Sequence, residues 1–299
     1  MRTLIYFYYV FGKLVLILLY RGLPVKGRFA RLLKLDVENK IIFAPTVKKV
    51  HKIKPELRGK YKVVRLFTKD CVRLYSWFIE PNGDKPVVIF CHGQSENISK
   101  WQDCAIFLRE LGYGALFLSY RGHYKSAGTP SEKGLYEDAR CAISYLNEKG
   151  YSCENIVIWG RSLGTSIPCQ MALEFGLKGI ILESSILDIK SAAISLSKMY
   201  LGALNFKGVK AFVSEMFKDI NFLQTFDNCK KIKDVKCPIL ILHSKLDVKI
   251  DYSVAEKMHS LNKTSELYLC DWGSHNTNDW CFDRIKQFLS NINIPKNSN

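Results

Sequence analysis

Asn155-Ile-Val-Ile-Trp159 runs directly into Gly160-Arg161-Ser162-Leu163-Gly164, and an apolar helical segment follows as far as Gly176. This order of β-branched run, Gly-x-Ser-x-Gly and helix is typical of a nucleophile elbow. The turn from strand to helix is so sharp that glycine is required at both flanking positions, and the hydroxyl of Ser162 is lifted clear of the sheet. The amide of Leu163 then points at a developing oxyanion. A chance occurrence in an ordinary turn is the alternative, but the flanking strand and helix favour a nucleophile.

Buried-type runs and helical segments alternate on both sides of this elbow, which predicts an α/β fold with a mostly parallel central sheet flanked by helices. An antiparallel hairpin over 61–79 precedes them. The predicted parallel strands are Val87–Cys91, Ala115–Ser119, Ile156–Trp159, Gly179–Leu182, Ile239–His243 and Glu266–Cys270. The predicted helices are 98–111, 132–148, 164–175, 252–261 and 277–290.

The chain divides into one large domain and its attachments. Residues 61–292 form the predicted catalytic domain, and 293–299 a polar tail. Within the domain, 184–236 interrupts the alternation. Its helical segments, 186–204 and 209–217, predict a helical cap over the carboxyl edge of the sheet, where such folds bind ligands.

The N-terminal residues carry nearly all of the net charge of +16: residues 1–69 hold 17 Lys/Arg against 3 Asp/Glu. Residues 1–22 form a predicted apolar membrane-anchor helix, and 23–60 a basic linker. Beside an apolar segment, this charge favours anionic lipid over nucleic acid as a partner. The sequence carries no signature of a nucleic-acid-binding module.

Thr3–Tyr20 is apolar except for Lys13 and is about 27 Å long as a helix, just short of a hydrocarbon core. A marginal span, a deep interfacial helix and a helix packed on the domain therefore all remain open. The basic residues that follow it place the domain on the cytoplasmic side of a membrane.

Ten scattered cysteines without a Cys-x-x-Cys pair predict reduced thiols rather than a disulfide framework. The six histidines show no metal-ligand spacing, and no glycine-rich phosphate loop occurs. We therefore expect neither a metal nor a cofactor.

A serine nucleophile requires a base and an orienting acid, in the chain order Ser, Asp/Glu, His. His275 lies in a loop directly after a predicted strand, whereas its rival His259 lies inside a predicted helix. Asp247 follows the strand Ile239–His243, whereas its rival Asp251 opens a helix and is explained as an N-cap. The predicted triad is Ser162, Asp247 and His275.

The second oxyanion donor is expected in the loop after an earlier central strand. Cys91-His92-Gly93-Gln94 occupies that place, and the amide of Gln94 is the predicted donor. His92 is interpreted as a structural residue of this loop.

Five ordered blocks across residues 61–290 resemble those of alpha/beta hydrolases, in the membrane-anchored branch of depalmitoylase-like and serine aminopeptidase-like proteins. The blocks are His92–Asn97, Tyr120–Glu132, Gly160–Gly164, Cys237–Asp247 and Gly273–Asn276. The resemblance implies the same triad and the Gln94 and Leu163 amides as donors. It also implies that the loop of Tyr120–Pro130 is structural, with Arg121 paired internally.

The sequence departs from this family pattern at three positions near the site. Gln94 stands where asparagine is frequent, Ser244 where glycine is usual, and Asp251 where proline is common. None of these changes removes a catalytic group, so they bear on the shape of the pocket and not on the presence of activity. The N-terminal cysteine cluster of the depalmitoylase subgroup is absent, which weakens transfer of its substrate.

The sequence therefore predicts a membrane-associated serine hydrolase acting on acyl esters or thioesters. A serine aminopeptidase is the first alternative; it requires an acidic group for the substrate ammonium, for which Glu183, Asp188 and Glu215 are nominal candidates. A catalytically silent, membrane-bound interaction module is the second.

Overall fold

The computed structural model describes residues 38–39, 42–45, 50–202, 208, 215, 217–218, 220–277, 279 and 281–293; for 200–202 only the backbone is described. The predicted anchor Thr3–Tyr20 lies outside these residues, as do the polar tail beyond 293 and most of the predicted cap helix at 209–217. Within the described part of the chain, no helix is long and apolar enough to cross a membrane.

In the described part of the chain, eight strands form one sheet in the order β1-β2-β4-β3-β5-β6-β7-β8. The first two pair antiparallel, β2 pairs antiparallel with β4, and β3 to β8 run parallel. The strands are β1 Lys62–Phe67, β2 Arg73–Ile79, β3 Val87–Cys91, β4 Gly114–Ser119, β5 Ile156–Arg161, β6 Gly179–Glu183, β7 Ile239–Ser244 and β8 Glu266–Cys270. The predicted hairpin and the predicted parallel sheet are both confirmed.

The central strands are apolar along their whole length because helices cover both faces of the sheet. Every residue of β3 is buried. Its side chains alternate between two cores: Val87, Ile89 and Cys91 face one, and Val88 and Phe90 face the other. The period of two in strand geometry thus divides the hydrophobic interior into two layers.

The helices are α1 Gln102–Glu110, α2 Glu132–Glu148, α3 Ser166–Glu174, α4 Ile189–Gly202, α5 Asn228–Lys231, α6 Ser253–Leu261 and α7 Phe282–Ile292. Buried side chains of α2, α3 and α6 belong to the first core, and those of α1 and α7 to the second. The sequence places the start of the last helix at 277, five residues too early.

Part of the predicted basic linker packs on the domain. Ile42, Phe43 and Leu57 are buried, and the Phe43 ring meets Phe226 edge-on at 5.9 Å. The carboxylate of Glu38 is buried too and accepts hydrogen bonds from the backbone ahead of α5. Glu38, Ile42 and Phe43 therefore contribute to the folded core.

The loop after β4 is held internally, as the resemblance implies. Arg121 donates to Asp138 (2.8 Å) and to Asp70 (2.7 Å). Burial raises the pKa of Asp138 to about 6 in spite of the arginine. All ten cysteines are unpaired thiols, in agreement with the sequence.

Candidate active site

Ser162 lies at a strained turn between β5 and the 3-10 turn Ser162–Thr165, which leads into α3. Its φ of +53° is in the left-handed region, which costs energy for a serine. A Cβ at Gly160 would overlap the backbone of Gly164 and Thr165, and one at Gly164 would overlap the carbonyl of Cys91. The two glycines are therefore required sterically, as the elbow pattern predicts.

The sheet order brings the predicted site residues to one edge. The strands β3, β5, β6, β7 and β8 are consecutive neighbours and parallel, so the loops after them meet at their carboxyl ends. Gln94 follows β3, Ser162 follows β5, Asp247 follows β7 and His275 follows β8. The structure places all four at this edge.

Asp247 and His275 form a direct hydrogen bond. The distance from His275 Nδ1 to Asp247 Oδ2 is 2.7 Å, and both side chains are buried. Asp247 Oδ1 accepts the backbone amides of Lys249 (2.9 Å) and Ile250 (3.0 Å), which fixes the plane of the carboxylate. Oδ2 is thus left for the side chains of His275 and of His243, whose Nε2 lies 3.4 Å from it. This arrangement orients the His275 ring and holds its proton on Nδ1.

The electrostatics of this pair suit a base. Burial favours protonation of Asp247, but hydrogen bonds from His243 and His275 outweigh it and hold the pKa of this carboxyl well below its usual range. Burial lowers the pKa of His275 below its ordinary value, against the opposing effect of Asp247. His275 is therefore neutral at pH 7, with Nε2 able to accept a proton.

The two rivals lie elsewhere. Asp251 accepts the amide of Ser253 at 2.9 Å at the start of α6, in keeping with its predicted capping role. His259 contacts the hydroxyl of Ser265 at 2.8 Å. Neither residue makes a hydrogen bond to the Asp247–His275 pair among the contacts of the described residues.

Ser244, one of the departures from the family pattern, connects the two loops that carry Asp247 and His275. Its hydroxyl lies 3.1 Å from the carbonyl of Trp272 and 3.0 Å from that of Gly273, and it accepts the amide of Leu246 at 3.1 Å. The serine thus adds a hydrogen-bonded link that glycine lacks.

The loop after β3 lies against the nucleophile. A Cβ added to Gly93 would be 3.2 Å from Ser162 Cβ, so only glycine permits this approach. The Gly93 amide donates to Glu96 Oε2 at 3.1 Å, and the Gln94 side chain donates to the carbonyl of Ile42 at 2.7 Å. The carbonyl of Ile42 therefore helps to fix the turn in which the backbone amide of Gln94 is the predicted oxyanion donor.

A buried ionic cluster lies behind these loops. The sequence offers one of its members, Glu183, only as a nominal partner for a substrate ammonium, and the cluster itself is not predicted. Arg161 Nε donates to Glu183 Oε1 at 2.8 Å, and Nη1 lies 3.5 Å from Glu96 Oε1. Nη2 donates to the backbone carbonyl of His275. The guanidinium also lies 4.3 Å from the centre of the Trp101 ring.

A signal for this cluster was present in the sequence. Arg161 and Glu183 are the last residues of two buried strands, and a charge at the end of such a strand demands a partner. The two are register partners in β5 and β6. The sequence does not show that β5 and β6 are neighbours, so it could not predict this pair.

Comparisons with known proteins show what the chain is similar to. Residues 83–221 match a family described as "Serine aminopeptidase, S33". The protein also resembles the yeast (Saccharomyces cerevisiae) "Uncharacterized membrane protein YNL320W", with 36% identity over 141 residues, 46% of this chain and 50% of that protein. In sequence, the chain is similar to proteins named as alpha/beta hydrolases.

Relatives with named activities are more distant. The chicken (Gallus gallus) "Lysophosphatidylserine lipase ABHD12" is 28% identical over 203 residues, 64% of this chain and 51% of that protein. The solved esterase Pf2001 of Pyrococcus furiosus superposes with a TM-score of 0.65 at 20% identity, covering 84% of this chain and 97% of that one. The matched region spans about half the length of the yeast and chicken proteins. The fold is that of a hydrolase, with esterases and lipases among its relatives.

Proposed function

We propose that this protein is a membrane-associated serine hydrolase that cleaves the ester or thioester bond of acyl substrates, with Ser162, His275 and Asp247 as its catalytic triad. The observation that carries the proposal is the buried 2.7 Å hydrogen bond between Asp247 and His275, at the sheet edge where Ser162 forms the elbow. An orienting acid, a neutral base and a strained serine after three different strands are what acyl transfer requires.

In the proposed reaction, His275 Nε2 removes the hydroxyl proton of Ser162 as Oγ attacks the substrate carbonyl carbon. The backbone amides of Leu163 and Gln94 stabilise the negative oxygen. The resulting imidazolium protonates the leaving alcohol or thiol, which departs and leaves an acyl-serine. A water molecule, deprotonated by His275, then hydrolyses that ester and restores Ser162.

The surroundings of the site favour an apolar acyl group. The loops that carry Asp247 and His275 also hold three exposed apolar side chains, Leu246 (56% exposed), Val248 (74%) and Trp272 (53%). Apolar side chains exposed beside a site are suited to contact with lipid or with an apolar ligand. Together with the predicted N-terminal anchor, they support a substrate presented at a membrane, with the catalytic domain on its cytoplasmic side.

Aminopeptidase activity is the second candidate, favoured by the description of the matching family. It requires a free carboxylate near Ser162, and the three nominal candidates do not offer one. Glu183 is bound by Arg161 and Trp159, and Asp188 accepts the amide of Ser191 at 2.7 Å. Glu215 is exposed and lies 3.7 Å from Lys218. We therefore expect ester hydrolysis to dominate.

A fluorophosphonate probe tests the nucleophile. We expect it to label the wild type and Ser185→Ala but not Ser162→Ala. Ser185 is a matched control because its hydroxyl is buried and has no hydrogen-bond partner among the described residues. Undiminished labelling of Ser162→Ala would refute the assignment, and an unlabelled wild type would favour the silent interaction module.

A substrate series then tests the specificity, with p-nitrophenyl esters of two to twelve carbons, the matching thioesters and aminoacyl p-nitroanilides. Each buried methylene contributes about 0.8 kcal/mol, so six further carbons should raise kcat/KM until the pocket is filled. Faster cleavage of the aminoacyl anilides would make the aminopeptidase the correct function.

A further inference from the structure

We propose that Arg161 is a positioning residue that locks the loop of His275 and the loop of Gly93 onto the strand that ends in Ser162. This inference rests on the proposed function and adds to it a device that keeps the base, the nucleophile and the oxyanion loop in register.

The guanidinium of Arg161 is fully buried at the centre of the device. Arg161 is the last residue of β5 and directly precedes the nucleophile, so its backbone helps to fix the position of Ser162. Its Nη2 donates to the carbonyl of His275, a residue 114 positions away in the chain. The arginine thus ties the catalytic base to the nucleophile strand without touching either reacting atom.

The same side chain reaches the oxyanion loop through Glu96. Oε1 of Glu96 faces Arg161 at 3.5 Å and Lys100 at 2.5 Å. Oε2 accepts the amide of Gly93 and the indole N–H of Trp101, each at 3.1 Å. One carboxylate therefore couples the arginine to the turn that lies against Ser162.

Glu183 completes the balance of charge. It is buried, accepts from Arg161 at 2.8 Å and from the indole N–H of Trp159 at 3.0 Å, and is attached to β6. Two carboxylates thus face one guanidinium and the Lys100 ammonium. A buried cluster of this kind is rigid because each member has fixed partners.

The charges that face His275 give this role an electrostatic signature. Arg161 and Lys249 disfavour its imidazolium, whereas Asp247 favours it. Removing the positive charge of Arg161 should therefore raise the pKa of His275, and removing a negative charge beside Arg161 should lower it. The charged groups arranged around His275 are Asp247 and Lys249 after β7, Arg161 on β5, and Glu96 and Glu183 next to Arg161.

The test compares Arg161→Met, Arg161→Lys and Glu183→Gln with the wild type, using kcat, KM and the pH profile of short-ester hydrolysis. We expect Arg161→Met to lower kcat by about 10²-fold, as for a displacement of about 1 Å, with a smaller change in KM. The acid limb of the pH–rate profile should move to higher pH in Arg161→Met and to lower pH in Glu183→Gln. Arg161→Lys should keep the acid limb near the wild type but not restore kcat, since one ammonium cannot reach all three partners.

Arg140→Met is the matched control, because Arg140 makes a comparable double ion pair with Glu137 (2.7 Å) and Glu174 (2.6 Å) on the surface. It should leave both kcat and the acid limb unchanged. If the folded Arg161 and Glu183 variants kept the wild-type kcat and acid limb and lost only thermal stability, Arg161 would be structural and the proposal wrong. If Arg161→Met does not fold, an unchanged acid limb in Glu183→Gln has the same meaning.

An NMR titration of the His275 ring in Ser162→Ala separates this inference from the proposed function, because it needs no activity. Adding Arg161→Met to that background should raise the pKa of His275, and adding Glu183→Gln should lower it. Absent hydrolysis in the wild type would contradict the proposed function, whereas an unmoved His275 titration would contradict the role of Arg161.

Discussion

Replacing Asp247 by asparagine has a consequence that follows from the hydrogen bonds of its two oxygens. Oδ1 accepts two backbone amides, at 2.9 and 3.0 Å, and Oδ2 accepts from His275 Nδ1 at 2.7 Å. In the Asp247→Asn variant only the carboxamide oxygen can accept both amides, so the NH2 group must face His275. A donor at that place requires a lone pair on Nδ1, which moves the ring proton to Nε2 and removes the base for Ser162.

The expected loss in kcat is about 10⁴-fold, the effect of the wrong imidazole tautomer, or about 5 kcal/mol of transition-state stabilisation. Raising the pH should not recover it, because the tautomer is fixed by the amide and not by titration. The variant should remain folded, since both backbone hydrogen bonds persist and only the contacts of Oδ2 with His275 and with His243 (3.4 Å) are weakened. A charge-assisted hydrogen bond is worth about 1.5–3 kcal/mol.

The assay is p-nitrophenyl acetate hydrolysis from pH 5 to 9, with thermal melting to show that each variant is folded. Asp251→Asn is the control, because its side chain keeps the hydrogen bond to Ser253 and should change kcat by no more than about twofold. An Asp247→Asn enzyme within tenfold of the wild type would contradict the tautomer argument. A large loss in Asp251→Asn alone would make that residue the acid.

Two further predictions concern the proposed membrane association. Deleting 1–35 should release the protein from membranes, leave hydrolysis of soluble esters intact and reduce hydrolysis of esters held in a bilayer. Deleting 1–45 should in addition lower the free energy of unfolding by several kcal/mol, because it removes the buried Phe43. Removing a buried phenylalanine side chain costs about 3–5 kcal/mol. Cell fractionation, melting and the two assays decide this, and a soluble, folded 1–35 deletion with unchanged activity on bilayers would refute the anchor. Leu246→Ser should lower the hydrolysis of acyl esters held in vesicles but not that of p-nitrophenyl acetate. Leu173→Ser is the control, because it replaces another exposed leucine, near the end of α3, and it should alter neither activity. Equal losses in both variants would show that exposure of Leu246 is unrelated to lipid.

Local sequence determined much of the candidate active site. The two glycines of the elbow and the apolar run before Ser162 require only neighbouring residues to be interpreted, so the strand, the turn and the helix were predictable. The same holds for Asp247 and His275, because each stands a few residues after a recognisable strand and parallel strands end at one edge. The bond between them was expected from this order, and its 2.7 Å length and the two amides that orient Asp247 required the structure.

Tertiary structure alone decided what surrounds these residues. Arg161 meets Glu183 because β5 and β6 are neighbours, and it meets His275 across 114 positions of chain, a distance over which sequence periodicity carries no information. Phe43 and Glu38 look like parts of a basic linker in the sequence, yet they pack beside Phe226 and the backbone ahead of α5. Chain-local patterns specify each element and its exposed end, whereas the partners of a buried charge or ring are fixed only when the sheet order brings distant segments together.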